Sequence, residues 1–237
     1  MLPDAHVLPA LALRLQLPLP AVASATCRRR REDGALCGAD LGATPGHCLG
    51  CHVGGGTTQR HDGVRDWLAR WLGARGATGV AAEQFVPAWD RARPDGTVEA
   101  ARLDVAFKDP ALGVAYVDVV VADASLGADT PAGRNRAARD GAAAAASEER
   151  KHARYPGPAL TAFALEALGR AGKEAQALLR TWARGDAEAL AAARQSLAAT
   201  LQRGNAEAFR SACFAARGAV RHGAGGGEPA ARRPRAS

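Results

Sequence analysis

Apolar and polar residues recur with two different periods along this chain, and the changes of period mark out its elements. In "HDGVRDWLARWLGAR" (61–75), Val64, Trp67, Leu68, Trp71 and Leu72 fall at helical spacing, with Arg65, Asp66 and Arg70 opposite. This predicts an amphipathic helix ended by Gly73 and Gly76. "GVAAEQFVPAW" (79–89) predicts a strand, followed by a Pro/Asp/Gly turn. "ARLDVAFKDPALGVAYVDVVVADASL" (101–126) then predicts a hairpin. Its first strand alternates, with Leu103, Val105 and Phe107 on one face and Asp104 on the other. Its second strand is apolar on both faces apart from Asp118, the pattern of a central, buried strand. After a Gly/Pro/Asn loop (124–136), the alanine-rich stretch 137–155 predicts a helix closed by Pro156. "ALTAFALEAL" (159–168) predicts a further strand. Three helices follow in "KEAQALLRTWAR", "DAEALAAARQSLAATLQR" and "NAEAFRSACFAAR", the last two with Asp186 and Asn205 as N-caps.

The resulting order predicts an α/β domain built around a small mixed sheet flanked by helices. Its expected parts are an apolar lead-in (1–26), a loop-built Cys/His knuckle (27–56), the core (57–170), C-terminal helices (171–217) and a basic tail (218–237) disordered by composition. In the lead-in, Leu8, Leu11, Leu13 and Leu15 are expected to pack a partly helical segment on the core.

Charge narrows the class. The 237 residues carry 31 Lys+Arg, nearly all arginine, against 24 acids, for a net charge of +7. That balance suits a polyanionic partner, although arginine-rich composition by itself is weak ground for one. No window holds the roughly 18 apolar residues of a membrane span, so no membrane partner is expected. Asp4 precedes the N-terminal apolar run and Arg14 interrupts it, which argues against a secretory signal and for an intracellular protein.

Two aspartates stand where a sheet favours valine. If Asp109 pairs with Gly113 across the turn near Ala111, counting back places Asp104 opposite Asp118, on one face and roughly 5 Å apart. Two carboxylates that close share a proton or hold a divalent cation, with Mg²⁺ favoured by hard oxygen ligands. The competing reading is a buried ion pair with an arginine. On the following helix, Glu148, Lys151 and Tyr155 share a face by spacing, and a lysine beside two carboxylates can stabilise developing negative charge. Glu83 offers another carboxylate from the neighbouring strand.

Four of the five cysteines fall between 27 and 51, which suits metal binding in a reducing compartment better than a disulfide framework. Cys27, Cys37, His47 and Cys51 make the closed donor count of a structural Zn²⁺ site, with Cys48 and His52 as rival ligands. Arg28, Arg29, Arg30 and Arg31 lie inside the loop that such a metal would close, as phosphate contacts or as a solvated charge run. Cys213, on an apolar helix face, is expected in the core.

Taken in order, "CGADLGATPGHCLGC", "RHDGVRD", "RLDVAF", "AYVDVVVA" and "KHARY" resemble the restriction-like PD-(D/E)XK endonuclease region of site-specific non-LTR retrotransposons and related retroelement-derived proteins. The resemblance covers about residues 1 to 215 and lies in the order and spacing of short motifs. It implies a restriction-endonuclease-like core and Mg²⁺- or Mn²⁺-dependent hydrolysis of DNA, in the nucleus if the source is eukaryotic. Asp104 and Asp118 would be metal ligands, Lys151 the catalytic lysine, Glu83 an added ligand and Tyr155 an orienting or packing residue. Arg60, His61 and Arg65 would face nucleic acid. Two departures stand out: Val120 occupies the usual lysine position, and Leu103 replaces the proline before the first aspartate. "RPD" (93–95) offers Asp95 as a rival motif aspartate, though it lies in a turn. The alternative function is a non-catalytic nucleic-acid-binding remnant of the same fold. Nothing in the sequence sets the oligomeric state.

Overall fold

The computed structural model describes residues 4–15, 26–44, 46–109, 112–124 and 131–213. In chain order its elements are α1 (Asp4–Leu15), α2 (His47–Gly50), α3 (Gly56–Ala74), β1 (Thr78–Phe85), β2 (Arg91–Ala92), β3 (Val98–Glu99), β4 (Arg102–Asp109) and β5 (Gly113–Ala122). After them come α4 (Pro131–Ala137), α5 (Ala142–Arg154), β6 (Leu160–Glu166), α6 (Lys173–Ala183) and α7 (Ala187–Cys213). The main sheet runs β1-β4-β5-β6. Its first three strands are antiparallel and β6 is parallel to β5, so the fold is α/β with a mixed four-stranded sheet flanked by helices. The parallel step needs a crossover, which α4 and α5 supply.

The apolar stripe of α3 explains the principal core. Val64, Trp67, Leu68 and Leu72 are buried against Val105, Phe107, Val117 and Val119 of the hairpin, Leu178, Leu179 and Trp182 of α6, and Leu197 and Leu201 of α7. The hairpin has the expected register, with Asp109 opposite Gly113 and Val105 opposite Val117. Its turn centre, Ala111, lies outside the described residues. Leu103, Val105 and Phe107 are all buried and Asp104 is partly exposed, in line with the expected alternation, and Leu103 packs with Val86, Ala101, Tyr155 and Leu160. The β4–β5 ladder stops at Val105, and one residue earlier the Asp104 carboxylate, not a backbone carbonyl, accepts the Val119 N–H at 2.7 Å.

Other boundaries move for local reasons. The expected helix over 137–155 begins later, as α5 after Gly141 at φ 75°, a conformation that suits glycine, and α4 falls mostly in the expected loop 124–136. The two last helices merge into the 27-residue α7. Asn205 is not a cap but a fully buried interior residue, whose amide donates to Ala167 O at 2.6 Å. In the lead-in, α1 lies on α7 with His6 bonded to Glu207, yet of the four expected leucines only Leu13 is buried. Leu8, Leu11 and Leu15 face outward, because the packed stripe runs through His6, Ala10 and Leu13. The basic tail 218–237 lies outside the described residues.

Gly172, before α6, has no side chain to cap that helix. Glu148 of α5 does so instead, accepting the Glu174 N–H at 3.1 Å. A Cβ at Gly172 would stand 2.1 Å from Glu148 Oε1 and 3.2 Å from Ala164 O. Gly172→Ala must therefore displace the cap, and thermal unfolding is expected to show a loss of ~1 kcal/mol, or about 2 to 4 °C. An unchanged melting temperature would show that Glu148 contributes nothing as a cap.

Candidate functional site

β4, β5 and α5 bring three of the sequence-predicted groups together. Asp118, near the middle of β5, is 5% exposed, and Lys151 Nζ from α5 lies 2.6 Å from its Oδ2. Lys151 is thus the cationic partner of this buried carboxylate. Burial first, and Asp104 beside it, push the Asp118 carboxyl up to about 6 against the pull of Lys151. Asp104 goes the other way: despite burial, hydrogen bonding from His61, Asp118 and the Val119 N–H holds it below the usual carboxylate range.

His61, from the second turn of α3, is the fourth member of this cluster. Its Nε2 lies 3.1 Å from Asp104 Oδ2 and 3.0 Å from Val119 O, while Nδ1 lies 3.3 Å from Asp62 Oδ1. Burial would lower its pKa, but the Asp104 carboxylate outweighs burial and raises it to about 9. The sequence placed His61 toward nucleic acid; in the fold its ring is bound to the first of the two aspartates. The "RH" pair at the start of the helical pattern carried no signal for that aim, since α3 approaches β4 only in three dimensions.

Asp104, His61 and Lys151 line a cleft of about 630 Å³, and Asp118 is buried without lining it. The cleft wall also includes Arg65, Arg102, Arg150 and His52, together with Glu83 and Asp62. Glu83 is exposed and holds a left-handed backbone at φ 56°, which is rare for glutamate and costs of order 1–3 kcal/mol. Its carboxylate is 2.7 Å from Arg65 and 3.7 Å from Arg102.

Several expected residues take other places. Tyr155 is outside the cleft: α5 ends at Arg154, and Tyr155 turns away at φ −126°, ψ 79°. Helical spacing no longer applies there, and the ring packs with Leu103, Leu160 and Trp89 while its hydroxyl accepts from Arg154 at 2.8 Å. Arg29 is 4% exposed, donating to Cys51 O at 2.8 Å, Ala208 O at 2.5 Å and Ser211 Oγ at 3.2 Å. Arg60 is 3% exposed, donating to Asn205 Oδ1 at 3.0 Å and Leu49 O at 2.9 Å. Both guanidiniums are spent on internal acceptors, though Arg60 also forms part of the cleft wall. Arg65 is committed to Asp62, Asp66 and Glu83, whereas Arg28 and Arg30 stay exposed. Asp95 sits in an exposed turn, bonded to Thr97, and does not line the cleft.

The knuckle forms a second centre. Residues 26–40 fold as a short hairpin, with bridges Thr26–Asp40 and Arg30–Leu36 and bonds from Cys37 N to Arg29 O and Gly38 N to Cys27 O. It is thus more regular than a loop. The hairpin and α2 bring one ligand atom each from Cys27, Cys37, His47 and Cys51 within 4.8 Å of one another. Cys37 Sγ is 3.3 Å from His47 Nε2 and 3.9 Å from Cys51 Sγ, spacings a tetrahedral metal with bonds of about 2.0 to 2.3 Å can bridge. Burial, then Arg29, lower the His47 pKa and favour the neutral imidazole that a metal needs. The Cys₃His cluster can hold a metal such as zinc. Of the rival ligands, Cys48 is buried among Leu49, Phe209 and Cys213, with its thiol pushed up to about 12 by burial. His52 is exposed and turned to the cleft.

Among the described residues no helix is long and apolar enough to cross a membrane. No protein-family model matches the chain, and a search of curated proteins finds no match.

Proposed function

We propose that this protein is a metal-dependent endonuclease of the restriction-like kind, hydrolysing DNA phosphodiester bonds, with a zinc-held knuckle at its N-terminal side. The observation that carries this reading is the meeting of Asp104, Asp118 and Lys151 beside a cleft edged by arginines, with Asp118 buried behind its wall. The donor set suits Mg²⁺ or Mn²⁺ in its chemistry: two carboxylates in contact supply the hard oxygens such an ion takes. A divalent ion there would supply an acidified water and polarise the phosphate. Asp104 and Asp118 would hold it, and Glu83 stands within the same cleft wall.

The chain's own groups do the rest. Lys151, on a rigid helix, places an ammonium where charge builds up on the phosphate oxygens. It takes the part that Val120 cannot, and its approach from α5 replaces the lysine missing from β5. Arg102 and Arg150 at the cleft edge suit backbone phosphates, as does the +7 charge of the chain. For the knuckle, three thiolates and a neutral imidazole favour Zn²⁺ over harder ions.

A second reading is favoured by one observation. Both carboxylates already have cationic partners, Asp104 in His61 and Asp118 in Lys151, as in a site retained for stability alone. This describes a nucleic-acid-binding remnant without catalysis. Plasmid nicking with Mg²⁺ or Mn²⁺ separates the two. Wild type is expected to cut, and Asp118→Ala to cut at least ~10²-fold more slowly. DNA retention without metal-dependent cutting would favour the remnant, and neither retention nor cutting would remove both readings.

A further inference from the structure

His61 holds two oxygens with one nitrogen. Its Nε2 is within hydrogen-bond reach of Asp104 Oδ2 at 3.1 Å and of Val119 O at 3.0 Å. One of these belongs to an aspartate proposed as a metal ligand, and the other to the backbone immediately after the second such aspartate. A carboxylate and a main-chain carbonyl held around one point are the hard donors a divalent cation seeks. An N–H aimed between them fills that point.

We infer that His61 is a positioning residue that occupies the cation position of the cleft and must turn out before a divalent ion enters. This rests on the metal-dependent reading above. The path outward exists: the His61 side chain is 29% exposed and lines the cleft, whereas Asp118 and Val119 are buried. Among the described residues its polar contacts are Asp104, Val119 O and Asp62, the last shared with Arg65. With the ring in place Asp104 keeps the aim set by the Val119 N–H, so the site stays ordered without an ion. The cost is a reduced apparent affinity, because only the fraction of molecules with the ring turned out can bind.

Titration of Mn²⁺ into the full chain, read by the loss of free Mn²⁺ signal in electron paramagnetic resonance, tests this. His61→Ala is expected to bind Mn²⁺ ~10-fold more tightly than wild type, as for a competent state about one-tenth populated. His61→Gln keeps an N–H near the same point and is expected to stay close to wild type. The gain must vanish when Asp118→Ala is added. Weaker or unchanged binding by His61→Ala would overturn the inference, weaker binding marking His61 as a ligand instead. No binding by wild type or by either His61 variant would overturn the metal-dependent reading itself.

Discussion

Replacing Cys27 with serine is expected to release the whole knuckle and lower the melting temperature by at least ~10 °C, which is about 3 kcal/mol or more for a chain of this size. The hairpin at 26–40 has two isolated bridges and little apolar burial of its own, so a metal is what can hold it closed. Without one, Cys27 is a buried thiol pushed up to about 11 by burial, beside two other sulfurs within 4.8 Å. A bound zinc converts these groups into thiolates, and in zinc-finger peptides such binding supplies roughly 10–16 kcal/mol. The effect reaches beyond the knuckle. Arg28 N bonds to Ala212 O, and the Arg29 guanidinium ties Cys51 O to Ala208 O near the end of α7. Elemental analysis is expected to find one zinc per wild-type chain and none in Cys27→Ser, with a chelator lowering the wild-type melting temperature toward that of the variant. A metal-free wild-type chain indifferent to chelation would refute the assignment.

Arg60→Ala is expected to destabilise the fold by about 3 to 5 kcal/mol, because it removes a large buried side chain and strips two acceptors of their donor. Arg60 joins α3 to the Leu49 carbonyl of α2 and to Asn205 in α7, and burial lowers its pKa to about 10. Gly204 is part of the fit, since a Cβ there would come within 2.7 Å of the Arg60 side chain. Arg60→Lys should fall nearly as far, because one ammonium cannot span both carbonyls as a planar fork does. Denaturant unfolding measures both. If Arg60 were instead a phosphate contact, Arg60→Lys would leave stability unchanged and alter only DNA affinity.

The contrast between Arg60 and Lys151 shows where a linear reading stops. Asp104 and Asp118 were brought close by counting along one tight hairpin, where register follows from a handful of neighbours. The Cys/His cluster is equally local, its donors lying within one hairpin and the turn after it. Arg60 and Asn205 are 145 positions apart, and Arg29 and Ser211 are 182 apart. An arginine beside a histidine at a helix start looks the same in sequence whether it meets solvent, phosphate or a distant carbonyl. Tyr155 shows the complementary error: the helical period was right until the helix ended one residue before it.

By itself, then, the sequence determined what depends on short-range periodicity: an amphipathic α3, an alanine-rich helix, the hairpin register, and a Cys₃His set at metal spacing. Only the tertiary structure decided that α7 is continuous, that Arg29 and Arg60 are internal braces, and that His61 rests on Asp104. Those outcomes follow from burial against remote segments, where a charged side chain must find carbonyl or carboxylate partners once water is excluded.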